Sequence, residues 1–205
     1  MKEPLVKRPF DFIFSLFGII ISLPLWILFG LFILIEDGWP VLYLQERIGE
    51  GGRVCKALKF RSMIKGAEEG TGPVQAKEND PRVTKVGRVL RATAMDELPQ
   101  LINILKGDMS FVGPRALRPA ELEVKGNPGT VRIEEIRGYK ERLVVRPGLT
   151  GLAQVYLPTD AVRPKKFRYD LLYIKKRSFR RDLKLILLSF WITFRGKWES
   201  REKKI

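Results

Sequence analysis

The chain has no histidine and a single cysteine, Cys55, among its 205 residues. The absence of histidine excludes Ser-His-Asp triads, imidazole acid–base catalysis and the commonest zinc ligand, so any metal has to be held by oxygen. One cysteine cannot form an internal disulfide, which suits a reducing compartment and a buried, inert thiol. Acids are also scarce, 23 against 38 lysines and arginines, for a net charge of +15 at pH 7. That surplus calls for nucleic acid, an anionic membrane surface or a polyanionic small substrate as partner. The sequence holds no zinc-finger spacing, RNP-like aromatic motif or basic heptad segment, so no nucleic acid is expected.

What the chain does have is enough apolar content, 45%, to build the core of one ordinary domain. Part of it is concentrated in Phe12–Ile35, a run of 24 residues without a charge. As a straight helix it would reach about 36 Å, against a hydrocarbon core of about 30 Å, so a simple membrane span is one reading. Two details favour another. Pro24 removes a helical hydrogen bond in mid-run, with Ser22 placed to satisfy a freed backbone group. Both flanks are basic (Lys2, Lys7 and Arg8 before; Arg47, Arg53, Lys56, Lys59 and Arg61 after), and positive flanks stay on the cytoplasmic side. We therefore expect a re-entrant helix-break-helix over residues 1–36, with its break at Ser22 and Pro24, and a cytoplasmic domain over 37–205.

Candidate chemistry lies in Arg91–Arg115, RATAMDELPQLINILKGDMSFVGPR. Leu98, Leu101, Ile102 and Leu105 recur at i, i+3, i+4 and i+7, which predicts a helix with Pro99 in its first turn and Gly107 at its stop. Asp96 and Glu97 fall at its start, among Arg88, Arg91 and Arg115. Acids at a helix start can be caps, and acids among arginines can be surface ion pairs. The same set can also serve phosphoryl chemistry: a nucleophilic aspartate, a glutamate holding Mg²⁺, and arginine forks on a diphosphate.

Elsewhere, Gln45–Met63 reads as short strands around a Gly-rich turn at Gly49–Gly52, and Lys65–Arg82 as a surface loop. Pro119–Glu141 reads as a loop interrupted by a short polar helix. In Val144–Val155, the turn Arg146-Pro147-Gly148 presents an arginine that either binds phosphate or closes a strand. Leu183–Trp198 suits an amphipathic helix in the headgroup region, or a core helix with a basic face.

KFRSM at Lys59–Met63, DELPQLINILKGDMSFVGPR at Asp96–Arg115, VRPGLTGLAQV at Val145–Val155, and Tyr169-Asp170 together resemble the bacterial sugar transferases, the monotopic phosphoglycosyl transferases. The resemblance covers nearly the whole chain and corresponds to that family's minimal catalytic core. It implies transfer of a phosphosugar from a UDP-sugar to a polyprenol phosphate, namely undecaprenyl phosphate, with UMP as co-product. By position, Asp96 matches the nucleophile of a ping-pong reaction and Glu97 the partner that holds Mg²⁺. Lys59, Arg61, Arg91, Arg115 and Arg146 match basic residues around the diphosphate or lipid phosphate. The expected architecture is a helix-rich α/β domain with a re-entrant membrane hairpin and interfacial amphipathic helices, on the cytoplasmic face of the bacterial inner membrane among anionic lipids. The chain departs from the usual pattern at Leu23, between Ser22 and Pro24, at Ala116, and in YLPTD after Val155, so no sugar is assigned. A basic membrane scaffold and a membrane-bound nucleotide-sugar hydrolase are the rival readings.

Overall fold

The computed structural model describes residues 3–67, 80–119, 121–125, 129–198, 200, 204 and 205. The greater part of the expected 65–82 loop, and residues 126–128 of the expected 119–141 loop, lie outside them. Helix α1, Lys7–Asp37, comes first and is long and apolar enough to cross a membrane by length and composition. Its buried residues are Lys7, Asp11, Ser15, Ser22 and Ile33, one stripe at helical spacing that is polar for most of its length. Phe17, Ile20 and Ile27 are each about 60% exposed on the remaining surface. Polar residues inside and apolar residues outside invert the pattern of a helix in water and fit one whose outer solvent is lipid. The break expected at Ser22 and Pro24 does not interrupt the helix. Ser22 Oγ donates to the Gly18 carbonyl at 2.6 Å, the local back-bond that lets a helix carry a hydroxyl and bend.

Both ends of α1 dock on the rest of the chain. Lys7 Nζ donates to Val112 O (2.9 Å) and pairs with Asp182 (2.7 Å). Arg8 donates to the carbonyls of Ile104 and Leu105. At the other end, Ile33 packs with Phe60 and Leu90, and the Glu36 carboxylate accepts from Lys85 N and Val86 N.

Strands β1 (Leu42–Ile48) and β2 (Val54–Phe60) form an antiparallel hairpin in the register Leu42 to Phe60. Its turn holds Gly51 and Gly52 at positive φ, where side chains are disfavoured, as the sequence predicts. Helix α2, Lys85–Ala92, is capped by Thr84, whose hydroxyl accepts from Gly87 N. A 3₁₀ turn over Met95–Glu97 then leads into α3, Gln100–Lys106, which ends at Gly107 with φ 97°. The Arg8 guanidinium on the last α3 carbonyls complements the negative end of that helix.

Strand β3, Ser110–Val112, pairs in parallel with β6, Gly148–Thr150. This pairing sets Gly113-Pro114-Arg115 beside Arg146-Pro147-Gly148: Ser110 N donates to Pro147 O and Gly148 N to Pro114 O. The approach needs glycine, since a Cβ on Gly148 would stand 2.0 Å from Gly113 N. Between these strands, β4 (Leu122–Lys125) and β5 (Gly129–Arg132) form a hairpin where the sequence suggests a loop, and the short polar helix is α4, Tyr139–Arg142. Backbone pairing, invisible to side-chain periodicity over four residues, supplies that hairpin. Helices α5 (Leu152–Tyr156), α6 (Arg163–Lys175) and α7 (Phe179–Phe194) complete a helix-rich α/β domain. Its largest core cluster joins Val112, Val155, Tyr173, Leu185, Ile192 and Trp198. Leu187, Phe190 and Phe194 stand exposed on the opposite side of α7.

Candidate active site

The chain enters the site through a backbone reversal. Ala94 adopts the left-handed conformation (φ 55°), which ends α2 and turns Met95–Glu97 into the separate 3₁₀ turn. A side chain in that region costs about 1–2 kcal/mol, a strain of the kind held at functional sites. The helix predicted to begin at the acids therefore starts four residues later. Its buried face is Gln100, Leu101, Asn103 and Ile104, rotated from the periodic leucines because α3 is covered by α1 on one side and by β2 on the other. Asn103 ties it to β2, accepting from Leu58 N and donating to Lys56 O.

Asp96 and Glu97 line a cleft of about 730 Å³, within the range of small-molecule sites. Glu97 Oε1 accepts from Lys59 Nζ and from Arg115 Nη2, both at 2.6 Å. Burial alone would raise the Glu97 pKa, but Arg115 and Lys59 overcome it and hold the carboxyl well below the ordinary carboxylate range. Burial lowers the Lys59 pKa in turn, against the pull of Glu97 and Asp96. Arg61 and Arg91 line the same cleft. Arg61 Nη2 donates to the carbonyls of Asp37 and Gly38 at the end of α1, while its Nε and Nη1 are buried with no hydrogen-bond partner among the described residues.

Of the residues singled out from sequence, Lys59, Arg61, Arg91, Asp96, Glu97 and Arg115 are thus brought together. Arg146 is placed elsewhere, pairing with Glu3 at 2.5 Å and lying 3.8 Å from Asp11, and Ser22 and Pro24 sit within α1. Sequence reasoning missed Arg47, which lines the cleft beside Gln45 and donates to Ala116 O. Burial, with Arg115 and Arg118 adding to it, lowers the Arg47 pKa to about 10. The period-2 series Tyr43, Gln45, Arg47 carries the signal that finds it. Also missed was Arg142, buried against Asp170, which donates to Arg115 O at 2.7 Å and stacks on Phe167. It fixes the backbone from which Arg115 reaches Glu97.

Among the described residues, eleven lysines and arginines line the cleft against four acids, which selects an anionic ligand. No group of three or more Asp, Glu, Cys or His there could cage a metal. Two adjacent carboxylates nonetheless match what Mg²⁺ takes from a protein when substrate phosphates supply its other ligands.

An apolar helix docked along an α/β domain, beside a cleft in which cations surround two acids, has the form of an enzyme working on an anionic substrate at a membrane. A family model described as bacterial sugar transferase matches residues 2–196, and the chain belongs to that family, a family of phosphoglycosyl transferases. It is 39% identical over 189 residues, 88% of this chain and 91% of the relative, to the exopolysaccharide production protein PSS of Rhizobium leguminosarum bv. phaseoli. It is 41% identical over 186 residues, 88% of this chain and 67% of the relative, to the UDP-glucose:undecaprenyl-phosphate glucose-1-phosphate transferase of Caulobacter vibrioides. A Bacillus subtilis relative, 46% identical over 138 residues (67% of this chain, 73% of its own), is provisionally named an undecaprenyl-phosphate N-acetylgalactosaminyl 1-phosphate transferase.

Proposed function

We propose that the protein transfers a phosphosugar from a UDP-sugar to undecaprenyl phosphate, by a ping-pong reaction at Asp96, on the cytoplasmic face of the bacterial inner membrane. The observation that carries this reading is the pair Asp96 and Glu97 on the wall of a strongly cationic cleft, with Glu97 ionised between Lys59 and Arg115. An Asp96 carboxylate oxygen attacks the β-phosphorus, and the bond from that phosphorus to the oxygen bridging to the α-phosphate breaks. UMP leaves, and the phosphosugar remains on Asp96 as an acyl phosphate. A phosphate oxygen of the lipid then attacks the same phosphorus, the bond to Asp96 breaks, and the polyprenyl-diphosphate sugar departs. Lys59, Arg61, Arg91 and Arg115 neutralise the phosphates. Glu97 would hold Mg²⁺ together with substrate phosphates, and the ion would supply further charge neutralisation there.

The membrane path is supported by the docking of both α1 ends on the same domain. A straight helix of 31 residues would be about 46 Å long, so a span that placed its ends on opposite bilayer faces would separate contacts that the fold makes together. In this reading both ends of α1 stay on the cytoplasmic side, with Pro24 and the Ser22 back-bond as the place where the unbroken helix can bend in the bilayer, and the exposed Leu187, Phe190 and Phe194 of α7 lie in the headgroup region among anionic lipids.

The test is a panel of UDP-sugars with undecaprenyl phosphate and Mg²⁺, assayed for UMP and labelled lipid using the full chain in nanodiscs. One UDP-sugar should yield both, and about one UMP per enzyme should appear without lipid acceptor. Neither product from any donor would leave a scaffold. Continuous release of free sugar phosphate without acceptor would mark a hydrolase.

A further inference from the structure

Among the buried cleft residues to which the proposed reaction gives no part, Gln154 differs from the others in its side-chain hydrogen bonding. Gln154, on α5, is 9% exposed and lines the cleft, and among the described residues neither Nε2 nor Oε1 of its carboxamide has a hydrogen-bond partner. Its main chain, by contrast, is held: Lys204 Nζ donates to Gln154 O at 3.2 Å, and the next residue's N–H donates to Gly151 O. Room for the side chain is also built in. A Cβ on Gly151 would stand 2.6 Å from Gln154 Oε1 and 2.2 Å from Gly113 O, so only glycine lets the carboxamide lie there, beside the Gly113–Arg115 turn. A buried carboxamide without partners is costly, and such groups persist in folded proteins where something else uses them.

We propose that Gln154 is a specificity-determining residue that hydrogen-bonds the glycosyl group of the nucleotide-sugar donor. The inference rests on the transferase reading above. The turn beside Gln154 carries Arg115, whose side chain reaches Glu97, and Gln154 lines the same cleft as Asp96 and Glu97. There the group attached to the transferred phosphorus, before and after UMP leaves, is the sugar. A carboxamide offers two donors and an acceptor, which suits a pair of ring hydroxyls or an acetamido group. The imide edge of uracil presents the same donor–acceptor pattern, and the experiment separates the two.

Gln154→Leu keeps the approximate size and removes the polar atoms. Calorimetric binding of UDP-sugars and of UMP is compared with wild type for the full chain in nanodiscs, alongside kcat/KM across UDP-sugars differing at one ring position. The expected result is about tenfold weaker binding of the preferred UDP-sugar and about tenfold loss of discrimination between donors. UMP binding should be unchanged, and Tm equal to wild type or higher, because an unsatisfied buried group has been removed. A lower Tm with equal losses for all donors would make Gln154 a structural residue and overturn the proposal. Equal weakening of UMP would move the contact to uracil, and unchanged binding and selectivity would remove Gln154 from the site; either result overturns it. Failure of the transferase reading reads differently: the wild type would bind UDP-sugar and transfer nothing, while the Gln154→Leu binding contrast would still be scored.

Discussion

Two of the buried charge clusters among the described residues, one around Lys7 and one around Glu97, differ in what surrounds them. Around Lys7 the account is closed: its ammonium meets Asp182, Tyr173 donates to Asp182 and to Val112 O, and no part of the set lines the cleft. Around Glu97 two cations converge on one carboxylate oxygen, further arginines line the same cleft, and the side chain of Arg115 is 40% exposed. Burial of charge is common to both, so burial alone does not mark a site. A surplus of one sign facing open volume does. The closed cluster staples α1 to α7, and the open one is arranged for an anion that arrives later.

The sharpest way to break this contrast is Asp96→Asn, which keeps the shape of the open cluster and removes the proposed nucleophile. Transfer should fall by at least about a thousandfold with Tm unchanged; substantial residual turnover would show that Asp96 forms no covalent intermediate. Lys7→Met makes the complementary cut. Removing one partner of a buried pair costs about 3–5 kcal/mol, so denaturant unfolding in detergent should move sharply while the molecules that remain folded keep their kcat. Full stability with lost activity would erase the distinction between the clusters.

Glu97→Gln comes next, with an expected rate loss of about a hundredfold and a weaker response to Mg²⁺. Its pH signature follows from the direction of the shift. The folded carboxyl titrates below its ordinary value of 4.5, so its pairing stabilises the protein above that pH and the contribution is lost as pH falls below it. The stability gap between wild type and Glu97→Gln should be constant near neutrality and narrow below about pH 4.5; a gap already closing at pH 6 would mean that Glu97 is not held by Lys59 and Arg115. The smallest effect belongs to Tyr173→Phe. It leaves the Lys7 pair in place and removes one hydroxyl, so the cost should be about 1 kcal/mol in an unfolding titration, with no change in turnover.

Much of the open cluster was legible because its residues sit in compact motifs: Lys59 and Arg61 in KFRSM, the acids in DELPQ, Arg115 in the Gly-Pro-Arg turn. The Gly-rich β1–β2 turn and the Gly107 helix stop were legible for the same local reason, since backbone conformation selects those residues. Arg47 and Arg142 were not, because their roles depend on strand face and on a contact 27 residues away in sequence. Arg146 stands apart from the rest of the motif residues: its motif lies beside Arg115 through the β3–β6 pairing while its guanidinium turns toward Glu3. The apolar run of α1 was plain to read, but its inward polar stripe was not. Periodicity rules assume water on the outside, and here Lys7, Asp11 and Ser15 face protein.

The staple between Lys7 and Asp182 joins residues 175 apart in the chain. Synthesis runs from the N-terminus at about 5–20 residues per second, so α1 is out of the ribosome several seconds before the partner that secures it exists. During that interval its apolar surface is available to lipid and Lys7 has no Asp182 to pair with. The parallel strands that align the Gly-Pro-Arg and Arg-Pro-Gly turns likewise wait for Gly148 to meet Ser110. Birth order therefore hands the hydrophobic helix to the bilayer first, and the chemistry assembles on an anchor already laid.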